Sequence, residues 1–301
     1  MKNVLSKITV IAVTGALAVT AFAGCGGNSS SNSSKASGAA FDSGKTIAVV
    51  TREEGSGTRD AFTELTGVLV KDGDTKTDKT TSSAVTINST EAVITNVKDN
   101  DAAIGYISLG SLNDTVKTVK IGSVEVNAEN VKSGDYAISR PFNIAYKGKL
   151  SEVAQDFVDY ILSTDGQAVV SEEGYVSVSE SAAYSGKKPE GKISVAGSSS
   201  VAPVMEKLAE AYQKINTNAK VEIQTSDSSA GMQAAMEGTC DIGMASRELK
   251  DEEAGSLESI TIAKDGIAII VNKANTCDDL TVDQIRTIYT GETTVWSDVI
   301  K

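Results

Sequence analysis

Beyond residue 45, apolar runs alternate with apolar stripes, and loops of small polar residues lie between them. Ile47-Ala-Val-Val50 leads through Arg52-Glu-Glu-Gly55-Ser56-Gly57-Thr58-Arg59 into Ala61, Phe62, Leu65, Val68 and Leu69, a strand whose end loop opens a helix. The pattern returns at Ile193-Ser-Val-Ala196, the loop Gly197 to Ser200, and the stripe Val204, Leu208, Ala211, Tyr212 and Ile215, with Pro203 suited to a first helical turn. It returns again at Val221 to Thr225, Ser226 to Ser229 and a helix from Gly231 to Glu237. Asp241-Ile-Gly-Met-Ala245 is then a strand that delivers Ser246 and Arg247 at its end.

The intervening stretches supply scaffold. Residues 71–83 read as a solvated loop, Val85-Thr-Ile87 as a short strand, and Asn88 to Glu91 as a helix start ahead of Ala92, Val93, Ile94 and Val97. Asp101 to Ile107 reads as a buried strand, Lys117 to Val126 as an edge strand, and Arg140-Pro141 as a bend before another. Ser151 caps an amphipathic helix carrying Val153, Ala154, Phe157, Val158, Ile161 and Leu162, and Asp165 to Glu173 is a shorter one. Ile260–Ile262 and Ile267–Val271 read as two strands, Leu280–Tyr289 as a helix, and Trp296 as packed near the end. Alternating strands and helices predict an α/β fold with mixed sheets, in which ligands sit beyond the carboxyl ends of the strands.

The first residues are of another kind. Lys2 and Lys7 precede an uncharged run from Ile8 to Ala23, an export signal over residues 1–24 too short to span a bilayer. Phe22-Ala23-Gly24-Cys25 resembles the lipobox of bacterial lipoproteins, which implies a lipidated Cys25 and anchoring to the outer face of the cell membrane. Residues 25–44, rich in Ser, Gly, Asn and Ala, form a flexible tether. The full chain carries a net charge of −12, and residues 1–24 remove two lysines and no acids, so the remainder is more acidic still. That balance excludes nucleic acid as a partner. With no histidine anywhere, Ser-His-Asp and Cys-His catalysis and His-ligated metal sites are excluded, and no cofactor is called for. Cys240 and Cys277 could pair in an exported protein, although a small buried residue and a loop thiol describe them better.

Three small-residue loops at strand ends can aim hydroxyl and amide donors at one anion, and two of the five arginines, Arg52 and Arg247, stand at strand ends as well. Any one such loop is more often a solvated turn that caps a helix; the case rests on their number. A tetrahedral oxyanion accepts about ten hydrogen bonds, and dry burial requires that they be met. No Gly-Lys-[Ser/Thr] follows these glycines, which sets aside a Walker phosphate loop.

In combination, Thr-Arg52-Glu-Glu-Gly-Ser56-Gly57-Thr58-Arg, Ala-Gly-Ser-Ser199-Ser200-Val-Ala-Pro, Ser-Asp-Ser228-Ser-Ala-Gly and Asp-Ile-Gly-Met-Ala-Ser246-Arg247 closely resemble the phosphate-binding lipoproteins of bacterial ABC phosphate uptake systems. The resemblance runs from Lys45 to Lys301. It implies a two-lobed periplasmic-binding-protein-like (type II) fold with a cleft between the lobes. It further implies a monomer, not an enzyme, that takes inorganic phosphate to a permease and ATPase complex. By motif, Arg52 (steadied by Glu54), Ser56, Gly57 and Thr58 would face Ser199, Ser200, Ser228, Ser246 and Arg247 across the cleft.

Two departures follow from the resemblance. The Gly-Ser-Gly-Thr segment precedes the Ser-Ser-Val-Ala-Pro segment, the reverse of the family's order, so the chain reads as circularly permuted, with Ser185 to Gly191 joining the former ends. One lobe then combines residues 45–111 and 271–301, and the other is continuous over 112–270. Arg247 also stands where the family places an aspartate that accepts the proton of hydrogen phosphate, with Asp227 and Glu54 as candidate replacements. Selectivity for phosphate over sulfate is therefore less secure than oxyanion binding itself. The competing readings are a surface phosphate sensor, and an exported hydrolase that uses a clustered serine with a lysine base.

Overall fold

Most of the apolar runs become buried strands, those at 85–87 and 221–225 staying partly exposed at the edges of the sheet, and the stripes become helices packed over them. The computed structural model describes residues 41–73, 75–179 and 181–300; the leader, Cys25 and most of the tether lie outside them. The chain enters with β1 (Ala48–Arg52), α1 (Gly57–Thr66), β2 (Leu69–Asp72), β3 (Thr75–Asp78), β4 (Val85–Ile87), α2 (Thr90–Asp99) and β5 (Ala103–Ser108). It continues through β6 (Lys117–Ile121), α3 (Ala128–Ser133), β7 (Ser139–Tyr146), α4 (Glu152–Leu162) and α5 (Thr164–Glu172). Next come β8 (Gly191–Ser198), α6 (Ala202–Ile215), β9 (Ala219–Ser226), α7 (Ser228–Glu237), β10 (Ile242–Ala245) and α8 (Asp251–Ala254). The last elements are β11 (Glu258–Val271), β12 (Asp279–Leu280) and α9 (Val282–Thr290).

The main sheet runs β4-β1-β5-β11-β7-β10-β8-β9, with β6 between β11 and β12. At one end β4, β1 and β5 are parallel, and at the other β9, β8 and β10 are parallel. Each trio is a β-α-β-α-β run whose first strand lies in the middle, and each is flanked by an antiparallel neighbour, β11 or β7. Side chains alternate across the central strands as the period of two requires. Ile104 and Tyr106 join a cluster with Phe62, Tyr289 and Trp296, whereas Ala103 and Ile107 join Val93 and Val97 beneath α2. A separate cluster holds Phe142, Phe157, Leu208 and Tyr212.

Two strands read from the sequence as separate, 260–262 and 267–271, are one. β11 pairs with β7 over Glu258–Gly266 and with β5 over Ile267–Val271, so a single strand passes between the two clusters. The polar break Lys264-Asp265-Gly266 suggested an interruption, but Asp265 is fully buried against Arg140. Residue 112 is not where the packing changes. β6 pairs with Ile269–Val271, and Val119, Ile121, Val131, Tyr136 and Ile138 fill the first cluster, so the second cluster's chain begins at β7 and ends within β11. Residues 71–83 hold a short exposed hairpin, β2–β3, rather than only a loop. The strand at 117–121 is flanked on both sides.

The two ends of the folded region lie side by side. Thr46 bridges Val295, the Trp296 amide donates to the Lys45 carbonyl, and the Ser297 amide donates to that of Ser43. The Trp296 indole is fully buried, with Nε1 donating to the Ala102 carbonyl at 3.0 Å, and Phe41 meets its ring edge-on. The linker at 182–191 is strapped down as well: the Tyr184 hydroxyl and the Lys187 amide both donate to Asp156.

Where β7 meets β11, Asp265 accepts from Arg140 Nε at 3.1 Å and Nη2 at 2.9 Å, from the Ser108 hydroxyl at 2.8 Å and from the Leu109 amide at 3.1 Å. Burial pushes the Asp265 carboxyl up and the Arg140 guanidinium down, and these four donors offset part of that penalty on the acid. Arg140 Nη1 also donates to the Ser246 carbonyl at 3.1 Å, so the pair ties β5 to the end of β10. Arg140→Ala should destabilise the fold by about 3–5 kcal/mol by leaving a buried carboxylate unpaired. Urea unfolding checks this, and a loss under about 1 kcal/mol would mean the pair is dispensable.

Candidate anion-binding site

Two pairs of parallel strands, β1 with β4 and β8 with β9, run in opposite directions so that their carboxyl ends face each other, and each strand feeds a helix of nine residues or more: α1, α2, α6 and α7. Thr58, Thr90 and Ser228 lie in the first turns of α1, α2 and α7, and the Ser199–Ser200 turn leads into α6. Side chains cap three of these helices: Ser56 accepts from the Arg59 amide, Ser89 from that of Ala92, and Asp227 from that of Ala230. Capping takes a lone pair of Ser56 and leaves its O–H free to donate. The cap reading and the binding reading are therefore compatible at this residue.

The hydroxyls meet across the gap between the two clusters. Thr58 Oγ1 lies 2.8 Å from Ser200 Oγ, and Thr90 Oγ1 lies 3.3 Å from Ser200 Oγ and 3.4 Å from Ser199 Oγ. Behind them, Ser246 Oγ accepts from Ser198 at 3.0 Å and lies 3.5 Å from Ser228 Oγ, while the Ser246 amide donates to Ser228 Oγ at 3.1 Å. All of these residues except Ser199 are buried. Gly57 sits against the cluster: a Cβ there would overlap the Ser228 hydroxyl and lie 2.9 Å from that of Ser246. Gly55, at φ 88°, makes the turn and accepts the Ser229 amide at 3.1 Å.

Arg52 is 2% exposed and supplies the positive charge. Its Nη2 donates to Ser199 Oγ at 3.1 Å and its Nη1 to Thr90 Oγ1 at 3.5 Å. The carboxylate that braces it is Glu53, not Glu54, gripping Nε at 2.8 Å and Nη2 at 2.7 Å, while Glu54 is exposed. The backbone amide of Arg52 is set by the Tyr106 hydroxyl at 3.1 Å, whose pKa burial pushes up to about 12, so it stays protonated. Arg59 turns away, to Asp78 and the Arg52 carbonyl.

Of the residues expected at the site, the structure brings together Arg52, Gly57, Thr58, Ser199, Ser200, Ser228 and Ser246, while Ser56 is buried beside Gly57 with its hydroxyl capping α1. Arg247 is not among them. Its Nη1 and Nη2 grip Glu253 at 2.6 and 2.8 Å, Nη1 also reaches the Glu248 carbonyl, Nη2 reaches Ser229, and Nε lies 3.0 Å from Asp60. Every N–H of the guanidinium faces a protein group, and none faces the hydroxyls. Burial works against this charge, but Glu253 and Asp60 more than offset it and hold the Arg247 pKa above its ordinary value. Burial likewise raises Glu253 and is the largest single influence, but the Arg247 hydrogen bond, the Lys250 amide and the charges of Arg247 and Lys250 together outweigh it, so that pKa is lowered. This contribution to stability is present at neutral pH and is lost as pH falls through the depressed value.

Asp227 is occupied as a cap, so neither candidate replacement for the family aspartate points into the hydroxyl cluster. Lys250 contacts Ser229 and Asp60, and among the described residues no lysine hydrogen-bonds to the clustered hydroxyls. Cys277 lies in the first cluster and Cys240 beside Met232 and Ala245 in another, and both are free. Thr90 and Glu53 were missed from the sequence. The signal for Thr90 was there, because Val85 to Glu91 is a fourth strand, loop and helix start.

A PBP superfamily domain matches residues 21–165 and 182–301. The "Phosphate-binding protein PstS 2" of Streptococcus agalactiae is 50% identical over 298 residues, 98% of this chain and 98% of the relative. The protein of the same name from Streptococcus pneumoniae is 45% identical over 276 residues, 91% of this chain and 92% of its own. The crystal structure of a phosphate ABC transporter phosphate-binding protein from Streptococcus pneumoniae superposes with a TM-score of 0.69 at 46% identity, over 85% of this chain and all of that one. Alignments of that extent also mean that the order of segments is common to this chain and these relatives. The chain thus belongs to the PBP superfamily and, within it, to the family of the phosphate-binding protein PstS.

Proposed function

We propose that this chain captures inorganic phosphate outside the cytoplasm and delivers it, without chemical change, to an ABC importer. The observation that carries this reading is the hydroxyl cluster closed over by both walls, with four helix N-termini and the Arg52 guanidinium directed at one point. Helix starts carry partial positive charge and unmet amides, and hydroxyls rotate to donate where an oxyanion needs them. A ligand gripped by both walls stabilises the closed form through contacts the open form lacks. The walls belong to two lobes, residues 41–138 with 267–300 and residues 139–266, joined by β7 and β11.

We read the chain as a monomer, and the Cys25 lipobox supports its tethering by lipid to the outer face of the membrane; among the described residues no helix is long and apolar enough to cross it. The adjacent ends of the folded region support permutation as the source of the segment order. A second reading, a binder of tetrahedral oxyanions at large, is favoured by one observation: among the described residues no carboxylate is hydrogen-bonded to the clustered hydroxyls to accept a proton from hydrogen phosphate. Hydroxyls accept as well as donate, so phosphate remains bindable while sulfate is not actively rejected.

Calorimetry on the mature domain should give one-to-one binding of phosphate; no heat with phosphate would sink the reading, and equal affinity for sulfate would favour the second. Arg52→Ala should weaken phosphate binding by about 2–3 kcal/mol. Gly57→Ala should weaken it at least about tenfold, because the new methyl holds the walls apart, with little change in the melting temperature of the phosphate-free protein. In cells, radiolabelled palmitate should mark the wild type and not Cys25→Ser, which should appear in the medium; equal labelling would remove Cys25 as the anchor.

A further inference from the structure

Arg247 is turned away from the hydroxyl cluster, and its surroundings indicate what it does instead. It follows Ser246 on one wall, and Asp60 lies two residues beyond Thr58 on the other, so the two charges flank the anion donors directly. Glu253 holds the guanidinium by both arms and points Nε across the gap, 3.0 Å from Asp60 Oδ2. Lys250 Nζ, from the same wall as Arg247, lies 3.4 Å from the same oxygen. Among the described residues the cationic partners of the Asp60 carboxylate are both on the opposite wall, whereas Arg247 keeps Glu253 whether or not the walls meet.

Asp60 Oδ2 and Arg247 Nε are both buried, yet neither completes an aligned hydrogen bond. The attraction between them is therefore one of charge at close range, made in a place that water leaves when the walls meet. Apart, each group recovers its hydration, so the pair is an increment on closure rather than a lock. An unpaired Asp60 would also stand as a negative charge near the anion; closing neutralises it.

We propose that Asp60 and Arg247 are positioning residues for anion capture: a cross-cleft ion pair, formed only when the two walls meet, that slows release of the bound anion. The proposal rests on the reading of the site as a phosphate receptor. Because the pair is absent from the open form, it adds to ligand affinity and not to the stability of the empty protein.

The test compares wild type, Asp60→Asn and Asp60→Glu of the mature domain, by calorimetry with inorganic phosphate, stopped-flow release kinetics, and melting with and without phosphate. Asp60→Asn should weaken phosphate binding about fivefold, expressed in faster release rather than slower association. It should leave the phosphate-free melting temperature unchanged and reduce the rise that phosphate produces. Asp60→Glu, which keeps the charge, should restore most of the affinity, and high salt should narrow the gap between wild type and Asp60→Asn. Equal affinity and release in wild type and Asp60→Asn overturns the proposal, as does a fall in the phosphate-free melting temperature that accounts for the whole loss. A wild type that binds no phosphate overturns the receptor reading itself, and the pair's role in phosphate capture with it.

Discussion

Four helices begin at one place, and that is the arrangement from which the rest of the fold takes its sense. Helix N-termini repel one another as like partial charges, and their first amides lack partners within the helix. Bringing four together is unfavourable unless something negative or richly accepting joins them. Here the protein lines the junction with hydroxyls that bond one another across the gap and brings a single buried guanidinium to it. The net negative surface does not oppose this locally, because screening reduces its reach to about 8 Å while the donors act in contact.

That convergence requires the strand ends of two sheet halves to face each other, and the middle of the sheet sets how they do so. β11 passes from one half to the other without a break, and β7 runs antiparallel beside it. The ion pair of Arg140 and Asp265 sits at that passage, with one partner reaching back to Ser108 at the end of β5 and the other to the carbonyl of Ser246. A buried pair of this kind contributes little net stability against an apolar replacement, but it admits few geometries. Its reach from β5 to Ser246 places the two walls' hydroxyls in a common frame.

Much of this was legible in the sequence. Alternating apolar runs and stripes gave the α/β class, and the small-residue loops gave the wall residues from Arg52 to Ser246. What was not legible depends on contacts far apart in the chain. Asp265 reads as an interruption of a strand until Arg140, 125 residues away, is placed against it. Glu53 and Glu54 are indistinguishable until the turn at Gly55 decides which faces Arg52. Arg247 has the look of an anion ligand from its position after a strand, and only the short helix that brings Glu253 under it redirects its charge. Thr90 was hidden in plain view, because a threonine beside a serine cap reads as helix initiation and nothing more.

The pairing of the chain's first and last folded segments has a consequence in time. The cluster around Phe62 and Tyr106 is completed by Leu280, Ile285, Tyr289 and Trp296, residues from the far end of the chain. The cluster around Phe142 and Tyr212 draws on residues 142–263 only. A chain emerging from its N-terminus therefore holds every strand of the second unit before the first can close. Bringing β1 and β5 together with α9 and Trp296 means closing a loop of nearly the whole molecule, the slowest kind of contact to form. Assembly is thus ordered opposite to the chain: the later-encoded half can finish first, and the half that begins the sequence waits on its final residues.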